Sequence, residues 1–217
     1  MMDELELLKK DWQKREEHLP RLSYEEIYKM IWKKSSSLVR WIFYISIIEF
    51  TLPHLLYLIP SVRDQGNFEF ARRLGIEGWM MAFTVIQYSV ALYFIYQFYK
   101  RYKEISVLED AGELMQRIFR TRKTVKHYVI FCLSMVLLIF ALFIVGMAMD
   151  DNLVATLELQ GEAEQMDPQK LKLIVIGVVA ILGVLFTAFM GLIYFLLYGL
   201  LTRKLKRNYW ELKRMES

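Results

Sequence analysis

Apolar runs alternate along this chain with segments dense in charge, and the runs are too long and uninterrupted to be one face of a helix or strand in a soluble core. The first extends from Trp41 to Pro60 with Glu49 as its single charge; the others, Gly78 to Tyr99, Tyr128 to Met149 and Leu173 to Thr202, carry none. At about 1.5 Å of rise per residue, a run of this kind in helical form reaches roughly 30 Å, the thickness of a bilayer's hydrocarbon core. The pattern predicts an all-α polytopic membrane protein with four transmembrane helices, at 38–60, 78–100, 128–149 and 172–202. The fourth run is longer than a crossing needs, which permits tilt or protrusion. The intervening parts read as amphipathic helices over 1–37, an outer loop at 61–77, a helical connector at 101–127, an acidic outer loop at 150–171 and a basic tail at 203–217.

Composition agrees with lipid as the solvent of these runs, since 55% hydrophobic and 15% aromatic residues exceed what a soluble domain of this size carries. The net charge of +4 takes its meaning from its distribution. Twenty-three of the 28 Lys and Arg fall before span one, between spans two and three, or after span four, and five fall on the other side. By the positive-inside rule the 23 face the cytoplasm, so both termini are expected there, in a multi-pass protein of the bacterial inner membrane. Trp41, Trp79, Tyr96, Tyr99 and Tyr102 sit near span ends, where amphipathic rings suit the headgroup layer. Cys132 is the single cysteine, which excludes an intramolecular disulfide and a Cys-rich metal site. Residues Met1 to Pro20 are charged throughout and contain no apolar stretch of the signal-peptide kind, so insertion is expected to rely on the spans.

The expected cytoplasmic parts are amphipathic. Asp3 to Leu19 places Leu5, Leu8, Trp12 and Leu19 on one stripe, suited either to the inner leaflet or to a partner protein. Ser23-Tyr24-Glu25-Glu26 is a capping box, with Leu22 and Ile27 placed as a hydrophobic staple, and opens a helix that runs into span one. From Lys103 to Lys126 the apolar positions Ile105, Leu108, Ala111, Met115, Ile118 and Phe119 recur at helical spacing. Acidic residues lead there and basic ones follow, which suits the macrodipole of one continuous helix. Spans two and three are expected to project as helical extensions or to be joined by a surface helix. The tail carries Arg203, Lys204, Lys206, Arg207 and Trp210, a composition that fits an inner-leaflet anchor and, less well, ribosomal RNA or other nucleic acid.

Inside the spans, Glu49 is the candidate site, because a carboxylate at depth costs a few kcal/mol unless protonated or partnered. Pro53 removes the backbone donor that would reach the Glu49 carbonyl, Ser46 shares that face, and His54 adds a polar group nearer the outer leaflet. Gln87 of span two comes to a comparable depth if the two spans are antiparallel neighbours, and either it or a partner subunit is expected to hold Glu49. Spans three and four offer no charged residue or histidine at depth, so a structural clamp is preferred to a proton or ion relay. Gly183, Thr187 and Gly191 recur every four residues and form a groove into which another helix can settle. The acidic loop lacks calcium-loop spacing, and Asp167-Pro168 reads as the cap and first turn of span four.

Phosphate-loop, HExxH and CxxC motifs are missing, and His18, His54 and His127 fall in different topological locations, so no enzyme, metal or cofactor is expected. The opening Asp3-Glu4-Leu5-Glu6-Leu7-Leu8-Lys9-Lys10-Asp11-Trp12, the stretch Leu22-Ser23-Tyr24-Glu25-Glu26-Ile27-Tyr28 and Lys33-Lys34-Ser35-Ser36-Ser37 resemble those of uncharacterised four-span bacterial inner-membrane proteins. The resemblance implies the topology and no chemistry. Sticky amphipathic elements and closely packing spans point to an accessory or scaffold subunit that docks on a larger membrane complex, such as protein-export or insertion machinery. The lipid bilayer and other membrane subunits are its expected partners. Two alternatives stand beside it: a membrane-anchored signalling protein that sequesters a cytoplasmic regulator such as a sigma factor, and a small transporter or channel that uses Glu49.

Overall fold

A computed structural model describes residues 23–56, 58, 67–106, 110–158 and 166–216, and among them every regular element is helical. The stripe of Leu5, Leu8 and Trp12 lies outside the described residues. The elements are α1 (Tyr24–Leu56), α2 (Asn67–Arg73), α3 (Glu77–Ser106), α4 (Ala111–Met149), α5 (Leu153–Thr156), α6 (Pro168–Tyr194), a π-helical turn (Phe195–Gly199) and α7 (Leu200–Glu216). Four helices are long and apolar enough to cross a membrane: α1, α3, α4, and the continuous rod from α6 to α7. Much of each apolar stretch lies on the outside of the molecule, as expected of side chains whose solvent is lipid. The chain is therefore a multi-pass helical membrane protein.

Local chemistry sets the helix starts. The Ser23 amide donates to the Glu26 carboxylate at 2.8 Å and the Glu26 amide donates to Ser23 Oγ at 3.2 Å, completing the capping box. The Ser23 N–H bond is the main reason the Glu26 carboxyl lies below its usual range. Asp167 accepts from the Gln169 amide at 2.9 Å, and Pro168, which has no amide to satisfy, takes the first helical position. Gly75, at φ +69°, makes the turn between α2 and α3 in a left-handed conformation that side chains disfavour.

Each long helix overruns its apolar stretch at the end of the molecule where the Lys and Arg concentrate. There α1 packs on α3 and α7, α3 on α4, and α4 on α7, which closes a four-helix ring. Its core contains Ile31, Val39, Ile42, Phe98, Ile105, Ile118, Leu205 and Leu212, and polar locks join the helices. The Trp32 indole donates to the Ile105 carbonyl at 2.9 Å and the buried Asn208 amide donates to Ser35 Oγ at 3.0 Å. At the opposite end a smaller cluster of Ala71, Leu74, Ile76, Met147 and Leu153 ties α2 and α5 to the tops of α3 and α4. Arg73 and Glu158 pair across it, and that hydrogen bond raises the Arg73 pKa.

Of the two arrangements expected between spans two and three, the structure has helical extensions: α3 ends at Ser106 and α4 starts at Ala111, so the one continuous helix that the charge order over Lys103–Lys126 would suit does not form. Glu104 therefore closes one helix instead of opening another. Its carboxylate pairs with Arg101 at 2.9 Å and its carbonyl accepts from Arg117. Ile105, Ala111 and Ile118 are buried as their spacing predicts, whereas Phe119 faces outward. The basic tail is likewise no separate surface segment. It continues the last helix as α7, burying Leu205, Asn208 and Leu212 at helical spacing while Arg203, Lys204, Lys206, Arg207 and Trp210 stay exposed.

Candidate functional site

The Glu49 carboxylate meets two phenols. Tyr194 donates to Oε1 and Tyr198 donates to Oε2, the latter at 2.9 Å. These tyrosines stand four residues apart on the last helix, at the junction of α6 with the π-helical turn. The widened turn changes the angular step from one to the other, and both hydroxyls reach one carboxylate. Such turns recur at functional positions in helices. The rings are fixed by their neighbours: Tyr194 and Tyr198 stack with centroids 6.0 Å apart, and Tyr128 stands edge-on to both at 6.3 and 5.7 Å. Phe98 adds a contact to Tyr198 at 6.4 Å. Amphipathic rings suit this place because the body replaces lipid while the hydroxyl reaches the carboxylate.

Above the clamp a cavity of about 400 Å³ collects side chains from all four spans. Glu49, Pro53 and His54 line it from α1, Gln87 and Tyr88 from α3, Tyr128 and Cys132 from α4, and Tyr194 from α6. The His54 Nδ1 donates to the Phe50 carbonyl at 2.7 Å, and the rings of Phe50, His54 and Tyr88 form a triangle with centroids 5.2 to 5.8 Å apart. A carboxylate beside an imidazole and aromatic faces suits a cation as ligand.

The sequence-predicted residues separate on the structure. Glu49, Pro53, His54 and Gln87 share the cavity. Ser46 is buried below it and donates to the Phe43 carbonyl of its own helix at 2.7 Å. Gln87 is a wall residue, and the donors to Glu49 are the two tyrosines, which sequence reasoning missed. A signal for them existed: Tyr194 lies eight residues from the end of span four at Thr202, and Glu49 eight from the start of span one at Trp41, about 12 Å of rise from the basic end in each. The small-residue face of span four is filled from within the molecule. A Cβ on Gly183 would stand 2.8 Å from the Phe140 ring, Leu133 lies over Gly191, and the Thr187 hydroxyl returns to the Gly183 carbonyl at 2.7 Å. At Gly183 this groove is an internal seat for α4, while Thr187 and Gly191 stay half-buried.

Fold and site together define a four-helix multi-pass membrane protein with a half-buried carboxylate that joins its first and last long helices. Residues 25–217 match the family described as a domain of unknown function (DUF8845), and the chain belongs to that family. No curated protein and no solved structure matches it.

Proposed function

We propose that this protein is a non-enzymatic scaffold subunit of a larger assembly in the bacterial inner membrane, with both termini in the cytoplasm. One observation carries the reading: all four long helices continue past their apolar stretches into a packed bundle on the side that holds 18 of the 22 Lys and Arg among the described residues. A protein that needed only to reside in lipid has no use for that extension. A cleft of about 520 Å³ lies at its far end between the start of α1 and the end of α7, where Ile27, Met30 and Ile31 are mixed with Lys34, Glu211 and Arg214. Met30 in this cleft, and Phe119 and Trp210 elsewhere on the extension, present exposed apolar surface among charged residues, the mixture found at protein interfaces. Because Gly183, the most deeply set of the small residues, already seats Phe140, the extension is the better docking surface.

Photo-crosslinkers at positions 30 and 210 test this in the living membrane. The expected result is one partner of the same mass from both positions and none from position 184 on the lipid face. Crosslinks only between copies of this chain, or none, would contradict the scaffold role.

A second reading is favoured by the Glu49 cavity: passage or binding of a small cation. It predicts cation flux in proteoliposomes that Glu49→Gln abolishes without lowering the melting temperature. Equal flux in empty and loaded vesicles would dismiss it.

A further inference from the structure

A second groove, of about 800 Å³, runs along the outside of the molecule between α1 and the rod formed by the π-helical turn and α7. We propose that it binds one anionic phospholipid of the leaflet nearest the basic end. The two walls run antiparallel, and the Asn208–Ser35 and Tyr198–Glu49 hydrogen bonds set their register. Four residues back from Asn208 is Lys204, so it comes level with about the fourth residue after Ser35. Lys33, Lys34, Ser37 and Lys204 therefore gather in one half of the groove, over roughly 9 Å of helical rise.

The other half is apolar for about the same distance, with Trp41 at the junction and Ile45, Leu197 and Leu201 beyond it. No carboxylate lines the groove among the described residues. Neighbouring Arg203 is turned away onto the Phe195 ring, 4.6 Å from its centroid, so the three lysines form a cationic end distinct from the rest of the tail. A ligand that satisfies both halves needs an anionic head joined directly to hydrocarbon. An acidic phospholipid has that order of parts: its phosphate and second anionic or hydroxyl-bearing group meet the ammonium groups and Ser37, its glycerol lies at Trp41, and its acyl chains follow the leucines into the membrane. A free phosphate would occupy the lysine half alone. A zwitterionic lipid would bring a positive charge to a half-groove that three lysines and, among the described residues, no carboxylate line.

Native mass spectrometry of the full chain in mild detergent tests this after equilibration with equimolar phosphatidylglycerol and phosphatidylethanolamine. The expected result is one retained lipid, with phosphatidylglycerol favoured about tenfold. In Lys33→Gln/Lys34→Gln/Lys204→Gln that preference should fall to parity. In Leu197→Trp, which fills the apolar half and leaves every lysine in place, the retained lipid should be lost. Equal retention of the two lipids by the wild type, a preference that survives the lysine changes, or a lipid retained by Leu197→Trp would each overturn the proposal. Displacement of the bound lipid by excess glycerol phosphate would do so too, since it would assign the site to a soluble anion.

Discussion

The two ends of this helix bundle are held together differently. At the basic end four helices close into a ring around a continuous core, with Trp32–Ile105 and Asn208–Ser35 hydrogen bonds between them. At the other end the apolar contacts shrink to a cap of α2, α5 and the helix tops, and along the stretch between the ends many large side chains of α6, such as Leu182, Val184 and Phe189, face outward. The contrast follows from the solvent. Where helices leave lipid for water, burying apolar surface is favourable and builds a core. Within lipid that driving force is absent, and helices associate through close packing and polar contacts. The Glu49 clamp and the Gly183–Phe140 contact supply those two terms.

Substitutions in these two surroundings should separate accordingly. Ile118→Ala, in the closed core, should lower stability by about 3 kcal/mol, and Leu182→Ala on the outward face of α6 by well under 1 kcal/mol, both read from unfolding in the same lipid discs. Similar losses at both would erase the distinction. Gly183→Leu is expected to cost about 2 kcal/mol, because the Phe140 ring would have to leave its seat, and a paired Phe140→Ala should recover part of that loss. Unchanged melting in Gly183→Leu would mean that α4 and α6 do not pack this closely.

How much of this was legible depended on the range of the signal. Capping boxes are local, and Ser23–Glu26 and Asp167–Pro168 could be read directly. The four spans were legible because hydrocarbon leaves no alternative for such long uncharged runs. The clamp was only half legible: Glu49 announced itself by its cost, but its partners lie 145 and 149 residues away and are tyrosines, which near a span end read as headgroup anchors. No residue pattern marked the π-helical turn that aims them. Whether spans two and three extend separately or share one helix stayed open for a related reason, since helical spacing continues across the break while the acidic and basic blocks fall on both sides of it.

The smallest effect concerns the start of α1. Glu26 accepts the Ser23 amide, so its folded carboxyl titrates below the unfolded value of 4.5. The stabilisation it gives is complete above that value and is lost as pH falls through the lower, folded one. Carboxyl NMR of Glu26 should report a midpoint below 4.5 that rises in Ser23→Pro, which removes the donating amide, and an unmoved midpoint would remove the capping box from the account of α1.

The most direct measurement compares three proteins in lipid discs: Glu49→Leu, Tyr194→Phe/Tyr198→Phe, and the three changes combined. Removing the carboxylate alone leaves two buried hydroxyls without an acceptor and should cost about 2–4 kcal/mol, whereas removing acceptor and donors together leaves no orphaned group. The clamp therefore predicts that the combined variant melts above Glu49→Leu. A combined variant that melts below it, with losses that simply add, would show that Glu49 and the two tyrosines do not act as one unit.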